Sequence, residues 1–584
     1  MKILLLHPSD TLSDGPWSRS RWDLVIDLGV SSTESAAIWS GRLNCRVLQL
    51  QSFRRRDEDF HRIREILNSG CGNLSDRQGL DWWRILSILL HEQLDVVLMA
   101  RRLATDLGNG HEVYSSRWDW PVSELARTLG CQVHTLRGGA RAGLISTLYR
   151  YGRALRRLSF AQIQEVAFDK YDGHYRLRRR LHRSVPVSTE PVIVVPSAYT
   201  NVSRMAADYS RMLPDQKFLL VATRQSALAF DVPDNVSLLN LGTMAEPQPD
   251  LSESKDLLGK WETLLPRLRA FPEMDDLFAF GALERFPALL RQGLTLRNAW
   301  ARVLSHQPVT AVFCGDDSNP TTRLAVEIAA LRGIRTIDFH HGALDGRFLF
   351  KTVPSDLYLA KSEMEKDYLV NTCGQDSGKI VLGAPKRQLV QPSGAAPRNS
   401  QIVFFSEPYE NNAARPHEIY GEIIPPLAQL ARHAGTRLVI KLHPFESKGE
   451  RQRLLSKLLS QQDLEVTTLM SGPMPKDLAS TTWFGVTVES TAALDCAFQG
   501  VTCFLCSWLE ISPYGYVQQY ARFGIGRALN SANEIRNIPR MLVEQETSPD
   551  EKDMWVPISA ERLQEYLTGK GQGTAPAAAI GISA

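Results

Sequence analysis

Leu438-Val-Ile-Lys-Leu-His-Pro444 and Phe484-Gly-Val-Thr-Val-Glu-Ser-Thr-Ala-Ala-Leu-Asp495 decide how this chain is read. Each begins as a short apolar run of the kind buried on both faces of a parallel sheet. The first stops at His443-Pro444. The second stops at Glu489-Ser490-Thr491 and continues into a helix-like Ala492 to Phe498. Strands that deliver polar groups at their C-terminal ends mark the ligand edge of an open α/β sheet. Ser490 and Thr491 fall where a helix begins, and free backbone N–H groups there favour a phosphate. Plain helix capping uses the same geometry. His443 brings a proton or a positive charge beside them. The pair predicts a site for the phosphate of an activated donor.

Working outward, the same alternation recurs. Residues 401–545 predict strands at Gln401 to Phe405, Arg437 to Leu442, Leu464 to Leu469, Trp483 to Val488 and Val501 to Leu505. Residues 186–390 predict strands at Val192 to Val195, Lys217 to Thr223, Val309 to Cys314, Arg335 to Phe339, Leu357 to Ala360 and Lys379 to Leu382, with a helix over Val202 to Met212. Strands separated by helix-length segments indicate parallel sheets. Residues 391–400 are rich in turn formers and read as a linker. Residues 1–185 predict further strands at Lys2 to Leu6, Leu24 to Leu28, Cys45 to Leu50 and Asp95 to Met99, an α/β region that belongs with the acceptor side or stands apart. Residues 546–584 predict a C-terminal helix and a small-residue tail without order.

Composition excludes several classes. A chain of 584 residues needs more than one core. Hydrophobic content of 43% and charged content of 22% are ordinary for a globular protein. A net charge of +3 implies no nucleic-acid partner. No run of apolar residues is long enough to span a membrane. Met1-Lys-Ile-Leu-Leu-Leu-His-Pro reads as a first strand and not a signal peptide, which predicts a cytoplasmic protein. Cys503 and Cys506 form a CxxC with no second pair, so buried structural thiols are expected there, not zinc ligands. Residues 149–183 interleave Tyr149, Tyr151, Leu155 and Leu158 with arginines. That pattern suits either a solvated helix face or a peripheral contact with an anionic inner-membrane surface.

Taken together, Asp338-Phe-His-His-Gly-Ala, Lys441-Leu-His-Pro and Glu489-Ser-Thr-Ala-Ala-Leu-Asp resemble bacterial surface-polysaccharide glycosyltransferases. The His-Pro and Ser/Thr elements are similar to sialyltransferases and Kdo transferases that use CMP-sugars. The His-Gly and His-Pro elements are also similar to CDP-glycerol glycerophosphotransferases. The resemblance covers residues 305 to 510. It implies the GT-B fold, two Rossmann-like domains facing across a cleft, with an enlarged N-terminal domain and the donor domain at 401–545. It also implies an inverting transfer that needs no metal and no cofactor, from a nucleotide-sugar to a glycan or lipid-linked acceptor of capsule or lipopolysaccharide type. By the same resemblance, His443 contacts the donor phosphate and assists its departure, and Ser490 and Thr491 bind it.

The acceptor-activating base is expected across the cleft, in Val312-Phe-Cys-Gly-Asp-Asp-Ser-Asn-Pro-Thr-Thr-Arg323. Asp316 and Asp317 are both candidates, and either also suits a helix cap. His341 and Gly342 end another strand and are expected on the donor, with only one of His340 and His341 facing the cleft. Ser406, Glu407, Lys441, Pro444 and Glu489 complete the expected donor contacts. Alternatives are a CDP-alditol phosphotransferase, a UDP-sugar 2-epimerase, which needs several cleft carboxylates, and a catalytically silent binding subunit.

Overall fold

In the computed structural model, residues 1–7, 10, 17, 20–29, 32–49, 57–107, 110–115, 130–136, 190–228, 230–245, 250–342, 344, 346–350, 354–386, 400–409, 414–443, 445–472, 478–509, 519–544 and 554–569 are described. Among them the chain forms three parallel sheets. The first contains β1 (Lys2–Leu6), β2 (Leu24–Asp27), β3 (Arg46–Gln49), β4 (Glu112–Ser115) and β5 (Val133–Thr135), in the order β3-β2-β1-β4-β5. The second contains β6 (Val192–Ser197), β7 (Lys217–Ala222), β8 (Val236–Asn240), β9 (Val309–Cys314), β10 (Arg335–Phe339), β11 (Leu357–Ala360) and β12 (Ile380–Leu382), in the order β12-β11-β10-β9-β6-β7-β8. The third contains β13 (Gln401–Phe405), β14 (Arg437–Lys441), β15 (Thr467–Met470), β16 (Thr482–Thr487), β17 (Cys503–Cys506) and β18 (Arg527–Leu529), in the order β15-β14-β13-β16-β17-β18. All three follow the doubly wound 3-2-1-4-5 order, so each has a switch point between its first and fourth strands. The second and third sheets are the two Rossmann-like units of a GT-B architecture. The first is a further sheet beyond that pair.

Side-chain alternation explains why the strands are apolar throughout. In the second sheet, Val194, Val221 and Val312 enter one core while Ile193, Leu220, Ala311 and Phe313 enter the core on the opposite face. In the third, Val403, Phe405 and Val439 face one way, and Ile402, Phe404, Leu438 and Ile440 the other. The core on the first of these faces is continuous between the second and third units. The last described helix, Ala560–Thr568, returns to the second unit. It buries Leu563, Tyr566 and Leu567 in the core formed with Ala311 and Phe313 of β9 and Ile337 and Phe339 of β10. Cys503 and Cys506 are buried on β17, and all eight cysteines are free thiols.

One expected strand is a helix. Asp95 to Met99 lies inside α3 (His91–Leu107), which follows α1 (Thr33–Leu43) and α2 (Asp57–Ser69). A short apolar run does not distinguish strand from helix. The wider window does, because Leu94, Val97, Leu98 and Ala100 are buried at helical spacing and Leu103 continues the series. Helix α3 also explains how the first 135 residues bridge the molecule. Its Leu94, Val97 and Leu98 join the core of the second unit, while Leu103, with Ile3, Leu5, Ile26 and Val113 of the first sheet, joins the core of the third.

The first sheet docks by its own ligand edge. Arg415, just before α4 (Pro416–His433), reaches the C-terminal ends of β1 and β2. Its guanidinium grips Asp27 through both nitrogens, one at 2.7 Å, and donates to the His7 carbonyl at 3.2 Å. Neither side chain is exposed. Gly29 makes room, since a Cβ there would lie 2.8 Å from the guanidinium carbon. Beside it Glu422 of α4 accepts from the Ser32 and Ser35 hydroxyls at the start of α1 and from the Trp508 indole at 2.8 Å. A carboxylate at a helix N-terminus is favoured by the macrodipole.

Among the described residues no helix is long and apolar enough to cross a membrane. Residues 149–183 and 391–399 lie outside the described residues, and the expectations made for them stay there.

Candidate active site

The C-terminal ends of β13, β14 and β16 are neighbours, so the loops after them converge. Ser406 and Glu407 follow β13, His443 follows β14, and Glu489, Ser490 and Thr491 follow β16. Glu407 spans the switch point. Its Oε1 accepts from the Glu489 backbone N–H at 2.8 Å and from the Thr487 hydroxyl at 3.3 Å. Burial pushes its carboxyl up to about 8, opposed by the Glu489 N–H and reinforced by the charge of Glu489.

His443 is half-buried. Its Nδ1 accepts from the Phe445 N–H at 3.3 Å, which leaves Nε2 to carry the ring proton. Burial first, then Lys441, lowers its pKa, so the ring is neutral near pH 7 and donates through Nε2. Its loop is held by Glu446, which accepts from the His443 N–H at 2.8 Å and from Arg451 at 2.8 Å.

Two expected donor contacts are committed to that scaffold. The Ser406 hydroxyl is buried and donates to Glu446 at 2.8 Å, with Tyr420 at 2.7 Å. Lys441 donates to the carbonyls of Leu442 at 2.9 Å and Gly472 at 2.7 Å, which ties the end of β14 to the segment after β15. Burial lowers its pKa. Pro444 lies outside the described residues.

After β16 the two hydroxyls part company. Ser490 accepts from the Ala492 N–H at 3.3 Å, at the start of α5 (Ala492–Phe498). Thr491 is exposed and makes no cap bond.

Across the cleft, β9, β10 and β11 end in Asp316-Asp317, His340-His341-Gly342 and Lys361. Asp316 and Asp317 precede α6, which runs through Pro320–Leu331 and is capped by Asn319. Both are buried, Asp317 more deeply at 3% exposure against 8%. Burial and then Asp338 and Asp317 push the Cys314 thiol up, and burial and then Glu365, ahead of Asp317 and Asp338, push the Tyr358 phenol up. Asp316 bears on the same thiol, through its backbone N–H as well as its charge. Asp316 accepts from the Ser318 N–H at 3.2 Å. Arg323 pairs with Glu327 at 3.2 Å on its own helix.

His340 is buried against the edge of Phe348, whereas His341 is half-buried with its Nδ1 3.3 Å from the Gly315 carbonyl. Lys361 donates to the carbonyls of His340 at 3.0 Å and Gly342 at 2.6 Å and pairs with Glu365 at 3.3 Å. It fixes the His-Gly turn.

The units meet around a cavity of about 70 Å³. His341, Gly342 and Lys361 line it from the second unit, and Thr491 and Asp495 from the third. Its volume is smaller than the about 300 Å³ or more of a typical ligand site. Two larger cavities, of about 560 and 350 Å³, lie along α-helical residues 252–267 and between Cys71, Arg84, Arg323 and Phe350. Among the described residues no group of three His, Cys, Asp or Glu side chains is placed to hold a metal ion.

Thr487, Lys361 and Asp495 were not singled out in the sequence. Lys361 carried a signal, as the first polar residue after an apolar strand, whereas the tie between Thr487 and Glu407 exists only in the fold.

No family model and no curated protein matches the sequence. Solved structures do. A putative UDP-N-acetylglucosamine 2-epimerase from Listeria monocytogenes aligns over 65% of this chain and 96% of its own, at 10% identity and a TM-score of 0.42. S. aureus MnaA with UDP aligns over 65% and 96%, at 12% identity and a TM-score of 0.41. A glycosyltransferase from Rickettsia africae aligns over 65% and 93%, at 11% identity and a TM-score of 0.39. At these values the likeness carries no argument, and the architecture rests on the strand order above.

Proposed function

We propose that the chain is a glycosyltransferase. It transfers a sugar from a nucleotide-activated donor to a glycan or lipid-linked acceptor, with inversion and without a metal. The observation that supports this reading is the cavity between the two ligand edges, lined by His341, Gly342 and Lys361 from the second unit and by Thr491 and Asp495 from the third.

In this mechanism Asp316 accepts the proton of the acceptor hydroxyl as its oxygen attacks the anomeric carbon. Asp317, its buried neighbour, is the alternative base. The His443 Nε2–H donates to the departing phosphate, where charge develops. Thr491 and the first turn after β16 hold the same phosphate. Ser406 and Lys441 position these loops through their bonds to Glu446 and to the Leu442 and Gly472 carbonyls. The resemblance of His443-Pro444 and Ser490-Thr491 to CMP-sugar enzymes supports a CMP-linked sugar acid, sialic acid or Kdo, as donor. A UDP-sugar 2-epimerase is the second reading, favoured by the carboxylates Asp316, Glu407, Glu489 and Asp495 at the strand ends and the cavity between the units.

The test is turnover of CMP-sialic acid, CMP-Kdo, CDP-glycerol and UDP-N-acetylglucosamine by the purified chain, followed by nucleotide release and by sugar epimerisation. Asp316→Asn and Asp317→Asn are run alongside. Nucleotide release that Asp316→Asn abolishes supports transfer. Epimerisation without release supports the second reading. Binding of nucleotides without either reaction contradicts both.

A further inference from the structure

Ser87 is 5% exposed, and among the described residues its hydroxyl has no hydrogen-bond partner. A buried hydroxyl left unpaired is costly, so its place needs a reason. Ser87 lines the cavity of about 350 Å³, which is large enough for a small-molecule ligand. That cavity shares no lining residue with the one between the second and third units.

The sequence builds one wall by helical spacing. Arg84, Ser87 and Ile88 fall on one face of the helix Trp82–Leu86 and the tight turn Ser87–Leu90 that continues it. Leu67 and Cys71 come from the end of α2 and the turn after it. Arg323 comes from the first turn of α6, which follows Asp316-Asp317, and Phe350 from the segment after β10. Leu67, Ile88 and Phe350 are buried and give the cavity an apolar side.

The polar side is rich in donors. The Arg84 guanidinium makes no hydrogen bond among the described residues, and its Nε lies 3.5 Å from Glu327 Oε1. The same Oε1 accepts from the Nε of Arg323 at 3.2 Å, and Arg323 is only 2% exposed. Asp81 also lines the cavity, but its carboxylate is committed to backbone. It accepts from the Trp83 N–H at 3.1 Å and from the Gly72 N–H at 2.7 Å. Burial and then Asp81 push the Cys71 thiol up, against Arg84 and Arg323, with Glu327 adding a smaller push. Two guanidiniums and two carboxylates therefore bear on one space. The carboxylates are engaged, whereas Arg84 and the Ser87 hydroxyl still have hydrogen bonds to give. The complement is an acceptor-only group, and guanidinium favours a planar or tetrahedral oxyanion.

We propose that this cavity is a second ligand site, which takes a small molecule bearing a phosphate or carboxylate group on an apolar body. Arg84 and the Ser87 hydroxyl donate to the oxyanion, and Arg323 adds buried positive charge. The body packs on Leu67, Ile88 and Phe350. The site is independent of the nucleotide-sugar reading.

The experiment is alkylation of the full chain by iodoacetamide, followed at Cys71 by peptide mass spectrometry, with phenyl phosphate, benzoate or phenol present. Cys71 is exposed on the cavity wall, and the half-buried Cys45 is the internal control. Phenyl phosphate or benzoate is expected to slow labelling of Cys71 saturably and to leave Cys45 unchanged, and phenol to do neither. The two anions separate a phosphate site from a carboxylate site. Arg84→Gln is expected to weaken the protection about 10- to 100-fold, the worth of a hydrogen bond to a charged group. Ser87→Ala is expected to weaken it too, while its melting temperature holds or rises, because the hydroxyl it removes has no partner in the fold. Wild-type labelling that neither anion slows overturns the proposal. So does protection by phenol equal to that by the anions, or protection undiminished in Arg84→Gln. Ser87→Ala that melts lower and keeps full protection assigns the hydroxyl to the fold and overturns its part in the site.

Discussion

Replacing Arg415 by Met tests whether the first sheet is held by the ion pair at its ligand edge. Arg415 and Asp27 are both fully buried, and their bidentate contact is reinforced by the His7 carbonyl and by Glu418 at 3.5 Å. Burial works against the arginine's charge, but Asp27 outweighs it and the guanidinium pKa is raised. Met restores much of the volume and none of the charge. Asp27 then keeps its contact with the Gly29 N–H at 2.9 Å and loses its counter-ion. Breaking a buried pair from one side costs about 3–5 kcal/mol. At about 1.4 kcal/mol per factor of ten, that lowers the folding constant by about two to three and a half powers of ten. The assay is urea unfolding of the full chain by tryptophan fluorescence, since Trp39 lies 5.6 Å from the guanidinium and reports on this junction. Converting Asp27 to Leu in the Arg415→Met background removes the stranded carboxylate and recovers most of the loss, because apolar replacement of a buried pair is often close to neutral. A loss under about 1 kcal/mol in the single variant refutes the reasoning, as does a double variant no better than the single one.

Three further outcomes follow from the geometry. Gly315→Ala puts a Cβ 2.7 Å from the Phe339 ring and from Val202, so it is expected to cost about 1–3 kcal/mol in denaturant unfolding and to lower turnover by displacing Asp316. Glu407 has its folded pKa raised from 4.5 to about 8, so the folded state holds the extra proton and wild-type stability falls as pH rises through that window. Melting curves of Glu407→Gln are accordingly expected to gain on wild type between pH 4.5 and 8 and to run parallel above it. Glu253 is held below the usual carboxylate range by its hydrogen bonds with Arg297, at 2.6 and 2.7 Å. The stability it contributes is present above pH 4.5 and is lost as pH falls through its lowered folded value. Glu253→Gln should therefore flatten the acid limb of unfolding.

Much of the sheet architecture was legible because parallel strands buried on both faces must be apolar throughout. Gln401 to Phe405, Val309 to Cys314 and Leu357 to Ala360 are bounded in the fold as they are in the sequence. The misread segment, Asp95 to Met99, shows the limit of that signal, since five apolar-rich residues fit a helix face as well as a strand. The short edge strands Val133–Thr135 and Arg527–Leu529 gave no signal at three residues each. Strand ends located Glu407, His443 and Thr491 because the ligand edge is where polar residues interrupt apolar runs. What the sequence lacked was bonding. That the Ser406 hydroxyl is spent on Glu446, and Lys441 on two carbonyls, depends on which loops the fold brings side by side. The docking of Arg415 onto Asp27 joins residues 388 apart, with nothing local to announce it.

The central claim is that the facing strand ends bind a nucleotide without a metal. Thermal unfolding of the full chain with CMP, CDP, UDP and GDP, each with and without EDTA, tests it most directly. A ligand at a hundred times its Kd stabilises the folded state by about 2.7 kcal/mol. The account predicts that at least one nucleotide raises the melting temperature equally with and without EDTA, with CMP foremost. Melting temperatures that no nucleotide moves, or a shift that EDTA abolishes, would contradict it.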